Sequence, residues 1–208
     1  MARGRLITIE GLDGAGKTTL AQGLQERLAQ RGVKVTLLRE PGGVELAERI
    51  RALVKDPALT VSDRAEALLF AAARAPLVTQ ELEPRLAAGG WVLLDRFVDS
   101  SLAYQGAGRG LGVEAVREVN RLATGDLRPD LTLLLALDPA VGRTRQSGRG
   151  AADRMERLPD EFFVTVAAAY ERLADDEPER VRRLDAGQPP EAVLEAAMRE
   201  LEPLLEAP

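Results

Sequence analysis

The 208-residue sequence contains no cysteine and no histidine. Without cysteine the chain forms no disulfide and has no thiolate nucleophile, which fits a reducing compartment. Without histidine it lacks the side chain that most often acts as a general base or as a metal ligand. Any catalysis must therefore rely on carboxylates, lysine, arginine and the backbone.

Long apolar runs and an excess of positive charge are also missing. No apolar stretch reaches the roughly 18 residues that span a membrane, and the N-terminal MARGRLITIE has no apolar segment as long as that of a signal peptide. The net charge is −5, whereas general nucleic-acid binding usually requires a basic surface. We therefore expect a soluble, cytoplasmic protein whose partners are neither membranes nor nucleic acids.

What the chain does contain is an alternation of strand and helix signals. Its hydrophobic content of 45% over 208 residues is enough for one domain with a complete core. Short apolar runs alternate with segments of helical periodicity, a pattern that favours a parallel sheet covered by helices on both faces. No repeat or linker divides the chain, so residues 1–208 are predicted to form a single domain. Strands are predicted at 5–10, 33–40, 91–95, 131–138 and 180–186.

The predicted helices lie between these strands. Ser62 or Asp63 is expected to cap the helix that begins at residue 64. The segment 99–105 is predicted as a helical turn. A polar, arginine-rich stretch at about 139–159 is expected to be a mobile lid. The longer helices are predicted at 17–30, 44–54, 64 to about 88, 113–125, 160–176 and from Pro189 or Pro190 to the C-terminal region.

The segment GLDGAGKTT, residues 11–19, follows the first predicted strand and precedes the first predicted helix. It matches the phosphate-loop pattern G-x4-G-K-[ST], in which backbone N–H groups surround phosphate, the lysine reaches the β- and γ-phosphates and the threonine hydroxyl contacts Mg²⁺. It therefore predicts a nucleoside-triphosphate site but does not identify the phosphate acceptor. The predicted ATP-binding loop residues are Gly11, Leu12, Asp13, Gly14, Ala15, Gly16, Lys17, Thr18 and Thr19.

A second polar pair follows the third predicted strand. In WVLLDRF, residues 91–97, Asp95 and Arg96 lie at the carboxyl end of the strand, where open α/β sheets bind ligands. Asp95 is predicted to be the second metal contact beside Thr18, with a simple helix cap as the alternative. Arg96 suits an acceptor that carries its own phosphate.

The ordered set of motifs resembles the bacterial thymidylate kinases, which transfer the γ-phosphate of ATP to dTMP. Besides the loop, the resemblance includes LLREPGG (37–43), ALLFAAAR (67–74), DRFVDSSLAYQG (95–106), RPDLTLLL (128–135) and DAGQPPEAV (185–193). It implies a P-loop NTPase fold with a five-stranded parallel sheet flanked by helices. It also implies Mg²⁺ as cofactor, ATP as co-substrate and a homodimer formed through helices 44–54 and 64–88.

The resemblance implies how the acceptor is held. Asp13 would accept a hydrogen bond from the 3′-hydroxyl of dTMP, so that its carboxylate faces the acceptor while the loop N–H groups face ATP. Arg39 and Arg96 would bind the dTMP phosphate. Because that phosphate is a dianion at neutral pH, its attack on ATP requires no general base.

The base pocket is implied by the same resemblance. Phe70 would stack on the thymine ring and Arg74 would hydrogen-bond its O4. Ser101 and Tyr104 would line the base and sugar, with Tyr104 near the position of a 2′-hydroxyl and Gln105 in the same segment. From the residues alone Phe70 reads equally well as core, but Arg74 lies four residues later on the same helix face.

The lid arginines are the remaining candidates. Thymidylate kinases without an arginine in the phosphate loop supply one from the lid, and this loop has Gly14 and Ala15. Arg143 is predicted to lie against adenine, and a plain solvated loop is the alternative for any one lid arginine. The predicted catalytic residues are Lys17, Arg96, Arg149 and Arg145.

Two other functions remain open from the sequence. The acceptor could be another deoxynucleotide or a deoxynucleoside, in which case Glu40 is the candidate general base. Alternatively, the chain could be a non-catalytic nucleotide-binding module, although the loop, Asp95, Arg96 and the lid together argue against it.

Overall fold

A computed structural model describes residues 3–146 and 153–206. Within them, five strands form one sheet of order β2-β3-β1-β4-β5, in which every neighbouring pair is parallel. The predicted five-stranded parallel sheet is confirmed. The strands are β1 Leu6–Gly11, β2 Val35–Arg39, β3 Trp91–Asp95, β4 Leu131–Ala136 and β5 Val181–Asp185.

The helices follow the predicted alternation, and the first has the predicted bounds. Ser62 caps α3, since its hydroxyl accepts a hydrogen bond from the backbone N–H of Ala65. No helix of residues 3–146 and 153–206 is long and apolar enough to cross a membrane. The α-helices are α1 Lys17–Gln30, α2 Glu45–Lys55, α3 Asp63–Leu77, α4 Glu83–Ala87, α5 Val98–Ser101, α6 Val113–Thr124, α7 Pro139–Gln146, α8 Asp160–Asp176 and α9 Pro190–Glu206.

Three segments differ in detail from the sequence prediction. The helix expected from residue 64 to 88 contains a π-helical turn, Val78–Leu82. That turn lies between Pro76 and Pro84, which lack the N–H that continues an α-helix. A second π-helical segment, Leu102–Gly108, extends α5. The polar stretch after β4 begins with the regular helix α7.

The two faces of the sheet are covered by different helices. Along β1, Ile7 and Ile9 are fully buried in the cluster that α1 and α9 form with the sheet. Since side chains alternate along a strand, Thr8 and Glu10 face the opposite side, towards α5 and α8. Burying one such aliphatic side chain contributes about 1.5–3 kcal/mol. A carboxylate at Glu10 in this setting is unusual, because charge is costly to bury.

The topology brings the functional segments to one edge. Because the strands are parallel, the carboxyl ends of β1, β2 and β3 meet at the same side of the sheet. The phosphate loop follows β1, Arg39 ends β2 and Asp95 ends β3. The helices α2 and α3 pack together through Ala47, Ile50 and neighbouring apolar residues, and they form one wall above this edge.

Candidate active site

One cavity of about 840 Å³ lies at this edge of the sheet. Its walls come from the phosphate loop, the ends of β2 and β3, helices α2, α3 and α7 and the segment after α5. The predicted site residues that line it are Asp13, Gly14, Gly16, Lys17, Thr18, Thr19, Arg39, Phe70, Arg74, Asp95, Arg96, Ser101, Tyr104, Gln105 and Arg143.

The phosphate loop is held by its own backbone. The Lys17 ammonium donates to the carbonyls of Gly11 at 3.2 Å and Leu12 at 3.0 Å, so it is buried against the loop. Gly14 has φ +81°, and a Cβ there would lie 2.3 Å from the carbonyl oxygen of Gly142 in α7. Helix α1 begins at Lys17, so its free N-terminal N–H groups face the loop. The loop therefore has the form of an anion site.

Asp13 joins this loop to the end of β3. Its carboxylate accepts from the Arg96 guanidinium at 2.7 Å and lies 3.6 Å from the Lys17 ammonium. Arg96 has a left-handed backbone, φ 69°, and donates to the hydroxyls of Tyr104 at 3.3 Å and Tyr170 at 3.4 Å. An acid inside an anion-binding loop thus has a structural partner, since it lies between two cations.

The electrostatics of this cluster keep Asp13 ionised. Burial would raise the pKa of the Asp13 carboxyl, but the charges of Arg96 and Lys17 outweigh burial and hold that pKa well below its usual range. About 40% of the Asp13 side chain is still exposed, so it can meet a ligand. Burial, and then the charge of Arg96, lower the pKa of Lys17, while Asp13 and Asp95 raise it. Additional negative charge in the cavity would favour the charged lysine.

Thr18 and Asp95 bring a hydroxyl and a carboxylate to the same cavity. Thr18 is exposed and Asp95 is half-buried. Within residues 3–146 and 153–206, no three or more Asp, Glu, His or Cys side chains are grouped to enclose a metal. This donor set fits Mg²⁺, which keeps most of its waters and uses one or two protein oxygens plus substrate phosphates.

Arg74 lies at the base of the acceptor wall and is only 2% exposed. Its Nε donates to Glu40 at 2.8 Å, and its other donors reach Ser101 at 3.1 Å, the Asn120 side-chain oxygen and the Phe97 carbonyl at 3.0 Å. These hydrogen bonds use four of the five guanidinium N–H groups, and Nη2 is also in ion-pair contact with the Glu40 carboxylate. A hydrogen bond from Arg74 to thymine O4 would therefore share or replace one of these contacts.

The other predicted base contacts surround this arginine. Phe70 is half-buried and lines the cavity, so it is not wholly a core residue. Ser101, Tyr104 and Gln105 are buried on the same wall. The Gln105 amide donates to Glu66 at 3.0 Å, and that contact fixes the orientation of its side chain.

A basic group lines the end of the cavity nearest β2. Arg39 is exposed and donates to Glu48 at 3.3 Å. Arg51 of α2 lines the same cavity and donates to the Pro41 carbonyl at 2.8 Å. Burial, and then the charge of Arg39, lower the pKa of Arg51. Arg51 was not predicted from the sequence.

The lid arginines lie at different places. Arg143 lines the cavity, donates to the Leu158 carbonyl at 3.2 Å and pairs with Asp160. Arg145 instead donates to the Ala186 carbonyl at 3.0 Å and is not among the residues that line the cavity. Arg149 lies outside the described residues.

Glu10 and Asn120 are the buried polar residues near the site that sequence reasoning missed. Glu10 accepts hydrogen bonds from Ser100 and Tyr170. The Asn120 oxygen accepts from Arg74. An acid within an otherwise apolar strand was a signal for Glu10, whereas Asn120 lies in an ordinary amphipathic helix that carries no such signal.

Comparisons with known proteins identify the family of this chain. A family model described as thymidylate kinase matches residues 9–197. The chain is 48% identical over 200 residues to the thymidylate kinase of Alkalilimnicola ehrlichii, covering 94% of this chain and 91% of the relative. It is also 48% identical over 189 residues to that of Deinococcus radiodurans, covering 91% and 92%. The crystal structure of thymidylate kinase from Ehrlichia chaffeensis matches with a TM-score of 0.80 at 30% identity, over 96% of this chain and 99% of that one.

Proposed function

The chain belongs to the thymidylate kinase family and phosphorylates dTMP with ATP as co-substrate, and from this premise we propose how the cavity residues divide the reaction. The observation that carries the proposal is the ion pair between Arg96 and Asp13, 2.7 Å, beside Lys17. This ion pair supports the proposal because Lys17, the proposed contact to ATP, lies close to Asp13 and Arg96, the proposed contacts to dTMP. The transferring phosphoryl group would lie between them.

ATP would be bound mainly by the backbone of residues 11–19. The N–H groups of the loop and of the first turn of α1 would surround the β-phosphate. Lys17 would leave the carbonyls of Gly11 and Leu12, at 3.2 and 3.0 Å, and contact the β- and γ-phosphates. The negative charge of ATP would raise the lowered pKa of Lys17 and so keep the lysine protonated.

Mg²⁺ would be held by the hydroxyl of Thr18 and, directly or through water, by the carboxylate of Asp95. When bound, Mg²⁺ supplies positive charge that offsets the charge of the phosphate oxygens. Both side chains line the cavity beside Lys17, so the protein's own contribution is to orient two oxygen ligands near the loop.

The acceptor phosphate would be bound by Arg39, Arg96 and, in addition, Arg51. All three line the cavity, and none of their guanidinium groups is confined to a fully buried pair. Asp13 would hold the 3′-hydroxyl of dTMP, because its pKa keeps it an anion and an acceptor. An acceptor dianion placed in line with the γ-phosphate needs no general base, so positioning and neutralisation of charge dominate the rate.

The base would lie between Phe70 and the wall formed by Ser101, Tyr104 and Gln105. The buried Tyr104 ring fills the space beside Arg96, at 5.0 Å from its guanidinium carbon, which supports the exclusion of a 2′-hydroxyl. Arg74 would reach thymine O4 by sharing the donor that it gives to Ser101. The same arginine would then define both the pocket wall and its hydrogen-bonding edge.

The lid would close over the γ-phosphate and exclude water. Arg143 lines the cavity and its guanidinium carbon lies 5.7 Å from the Phe163 ring centre, which supports a role beside adenine. Arg145 contacts the Ala186 carbonyl, so a catalytic role for it would require a rearrangement of that contact. Arg149 is the remaining candidate for neutralising the transferred group.

A panel of acceptors tests this arrangement. ADP formation is measured with Mg²⁺–ATP and dTMP, dUMP, dCMP, the ribonucleotide of thymine or thymidine. We expect a strong preference for dTMP, since it alone combines the methyl, the O4 and the phosphate with a 2′-deoxy sugar. Turnover with thymidine but not dTMP would contradict the roles of Arg39 and Arg96 and would make Glu40 the general base. ATP binding without turnover of any acceptor would contradict the catalytic role of the cavity.

We also propose a homodimer formed through α2, α3 and α6. Exposed leucines on these helices give an apolar surface that supports the proposal, most of all Leu122 at 89% exposure. Leu68→Glu on α3 should convert the dimer to a monomer in light scattering after gel filtration. The matched control is Val164→Glu, because Val164 is equally exposed but lies on α8. Monomeric wild-type protein would contradict the proposal.

The reducing environment implied by the absence of cysteine supports a cytoplasmic location. The net charge of −5 supports the prediction that nucleic acid is not a partner. We therefore propose that small nucleotides and a second copy of the chain are its partners.

A further inference from the structure

Glu10 is a fully buried acid at the carboxyl end of β1, on the side of the sheet that faces α5 and α8. It accepts four hydrogen bonds. The backbone N–H groups of Phe97 and Ser100 donate to Oε1 at 2.7 and 3.3 Å, and the hydroxyls of Ser100 and Tyr170 donate to Oε2 at 2.5 and 2.9 Å. Glu10 does not line the cavity, but its donor Ser100 does, and the hydroxyls of both Ser100 and Tyr170 also accept from Arg96.

Arg96 constrains the direction of these hydrogen bonds. A guanidinium can only donate, and its Nη1 donates to the hydroxyls of Ser100 at 3.1 Å and Tyr170 at 3.4 Å. Each hydroxyl has one proton of its own to give. Both hydroxyls reach Oε2 of Glu10, and they also lie 2.8 Å from each other, where either can donate to the other. In each arrangement at least one proton goes to Glu10, so the chain of hydrogen bonds from Arg96 ends at that carboxylate.

We propose that Glu10 is a positioning residue for Arg96, acting through Ser100 and Tyr170. By accepting protons from these hydroxyls, the Glu10 carboxylate turns their lone pairs towards Nη1 of Arg96. The other nitrogen, Nη2, donates to Asp13 at 2.7 Å and to Tyr104 at 3.3 Å, and the acceptor phosphate would share or replace the Tyr104 contact. The inference rests on the proposed function only in assigning Arg96 to the acceptor phosphate.

The backbone of Arg96 is held by the same acid. Arg96 has φ 69°, a left-handed conformation that is unfavourable for residues with a Cβ. Its N–H donates to the Ile9 carbonyl at 3.0 Å, and the N–H of the next residue, Phe97, donates to Glu10. Ile9 and Glu10, which are neighbours in β1, thus hold the backbone in place on both sides of the Arg96 Cα.

Only the charged form of Glu10 accepts all four hydrogen bonds. A protonated carboxyl must itself donate, so it accepts one hydrogen bond fewer and one hydroxyl must give its proton to another acceptor, which weakens the hold on Arg96. Burial, and then the negative charge of Asp99, raise the pKa of Glu10 to about 7, so this change falls near neutral pH. The charged and titratable groups that face Glu10 are Asp99, Arg96, Tyr170, Tyr104 and Lys17.

The raised pKa has opposite consequences for stability and for activity. The folded pKa lies above the unfolded value of about 4.5, so the folded state holds the proton that the unfolded state has lost between pH 4.5 and 7. Wild-type stability attributable to Glu10 therefore falls as pH rises through that window. Orientation of Arg96 improves over the same window, because Glu10 becomes an anion.

The test compares wild type with Glu10→Gln, which keeps the size and removes the charge. The ratio of wild-type to variant kcat/KM for dTMP should be small near pH 6 and should rise to roughly 10- to 100-fold at pH 8. Taking the ratio cancels the ionisation of the substrate phosphates. The KM for ATP should change less than about twofold, since the hydrogen bonds that the Glu10 carboxylate accepts come from Phe97, Ser100 and Tyr170 and not from the phosphate loop. Between pH 4.5 and 7 the melting temperature of the variant should rise relative to wild type.

Two further variants sharpen the result. Ser100→Ala removes one of the two hydroxyls and should give a smaller loss of kcat/KM for dTMP. This variant replaces Glu10→Gln in the test if Glu10→Gln does not fold. Asp99→Asn removes the neighbouring negative charge and should move the midpoint of the pH-dependent ratio to lower pH. A ratio that does not change with pH, or equal changes for dTMP and ATP, would overturn the positioning role.

Arg96→Ala separates this inference from the proposed function. If Arg96→Ala abolishes use of dTMP and Glu10→Gln does not weaken it, the inference is wrong and the proposed function stands. If Arg96→Ala leaves kcat/KM for dTMP unchanged, the assignment of Arg96 to the phosphate fails, and a loss in Glu10→Gln would then overturn the positioning route as well.

Discussion

The donor and acceptor sides of the cavity are built in different ways. The donor side is nine consecutive residues, 11–19, whose shape depends on backbone N–H groups, on glycines and on the start of α1. The acceptor side is assembled from side chains of α2, α3, the ends of β2 and β3, α5 and the segment after it, which are far apart in sequence. A backbone site tolerates change in most of its side chains, whereas a side-chain site depends on each partner.

The junction between the two sides is a single carboxylate. Asp13 belongs to the loop by sequence, but its partners are Arg96 of the acceptor side and Lys17 of the donor side. The loop can therefore present N–H groups to one nucleotide and a carboxylate to the other. This division makes the effects of substitutions separable by substrate.

The largest effect is expected at Lys17, because no backbone N–H group can replace the positive charge of this donor-side residue. Lys17→Met should lower kcat by on the order of 10²–10³ with every acceptor, because the charge nearest the transferring group is lost. Lys34→Met is the control, since Lys34 is exposed and does not line the cavity. Single-turnover kinetics with dTMP and dUMP give the measurement. A loss confined to one acceptor would break the separation between the two sides.

The next effect concerns stability of the acceptor side. Glu40 and Arg74 form an ion pair that is nearly inaccessible to solvent, so Glu40→Gln leaves a buried positive charge uncompensated. We expect a loss of about 3 kcal/mol in the free energy of unfolding, measured by urea denaturation. The matched control is Glu45→Gln, which breaks the exposed pair with Arg49 and should cost less than about 1 kcal/mol. Equal losses would show that the acceptor wall does not depend on this pair.

The smallest expected effect tests whether Arg51 belongs to the acceptor side. Arg51→Ala should raise the KM for dTMP by roughly 5- to 10-fold, the value of one charged hydrogen bond, and leave the KM for ATP unchanged. Arg49→Ala, two residues earlier on the same helix, points to solvent and should change neither. Steady-state kinetics with each substrate varied in turn distinguish the two variants. No difference between them would remove Arg51 from the acceptor site.

The sequence was sufficient for the fold and for the donor side because both are encoded locally. The alternation of apolar runs and helical periods predicted the five-stranded parallel sheet. Apolar positions at helical spacing, followed by Gly32, predicted the end of α1 at Gln30. The phosphate loop carries its own pattern. The π-helical turn Val78–Leu82 was not predicted, because a stretch rich in Ala and Leu indicates a helix but does not distinguish an α-helix from a π-helical turn within it.

The acceptor side was predictable only where a family resemblance supplied it. Arg39, Phe70 and Arg74 were placed by motifs, and the structure brings all three to the cavity. Arg51 and Asn120 were missed because each lies in an amphipathic helix in which a polar residue on the outer face is ordinary. Their role depends on which turn of the helix meets the cavity, and this is decided by tertiary packing rather than by local pattern.

The most direct test of the division between the two sides is the binding of each nucleotide to Asp13→Asn. Calorimetric titrations with dTMP and with a non-hydrolysable ATP analogue give the two dissociation constants for wild type and variant. We predict that dTMP binding weakens by roughly 10-fold or more, through loss of one charged acceptor, while binding of the ATP analogue changes by less than about threefold. Equal weakening of both nucleotides, or weakening of the ATP analogue alone, would contradict the division of the cavity into a donor side and an acceptor side.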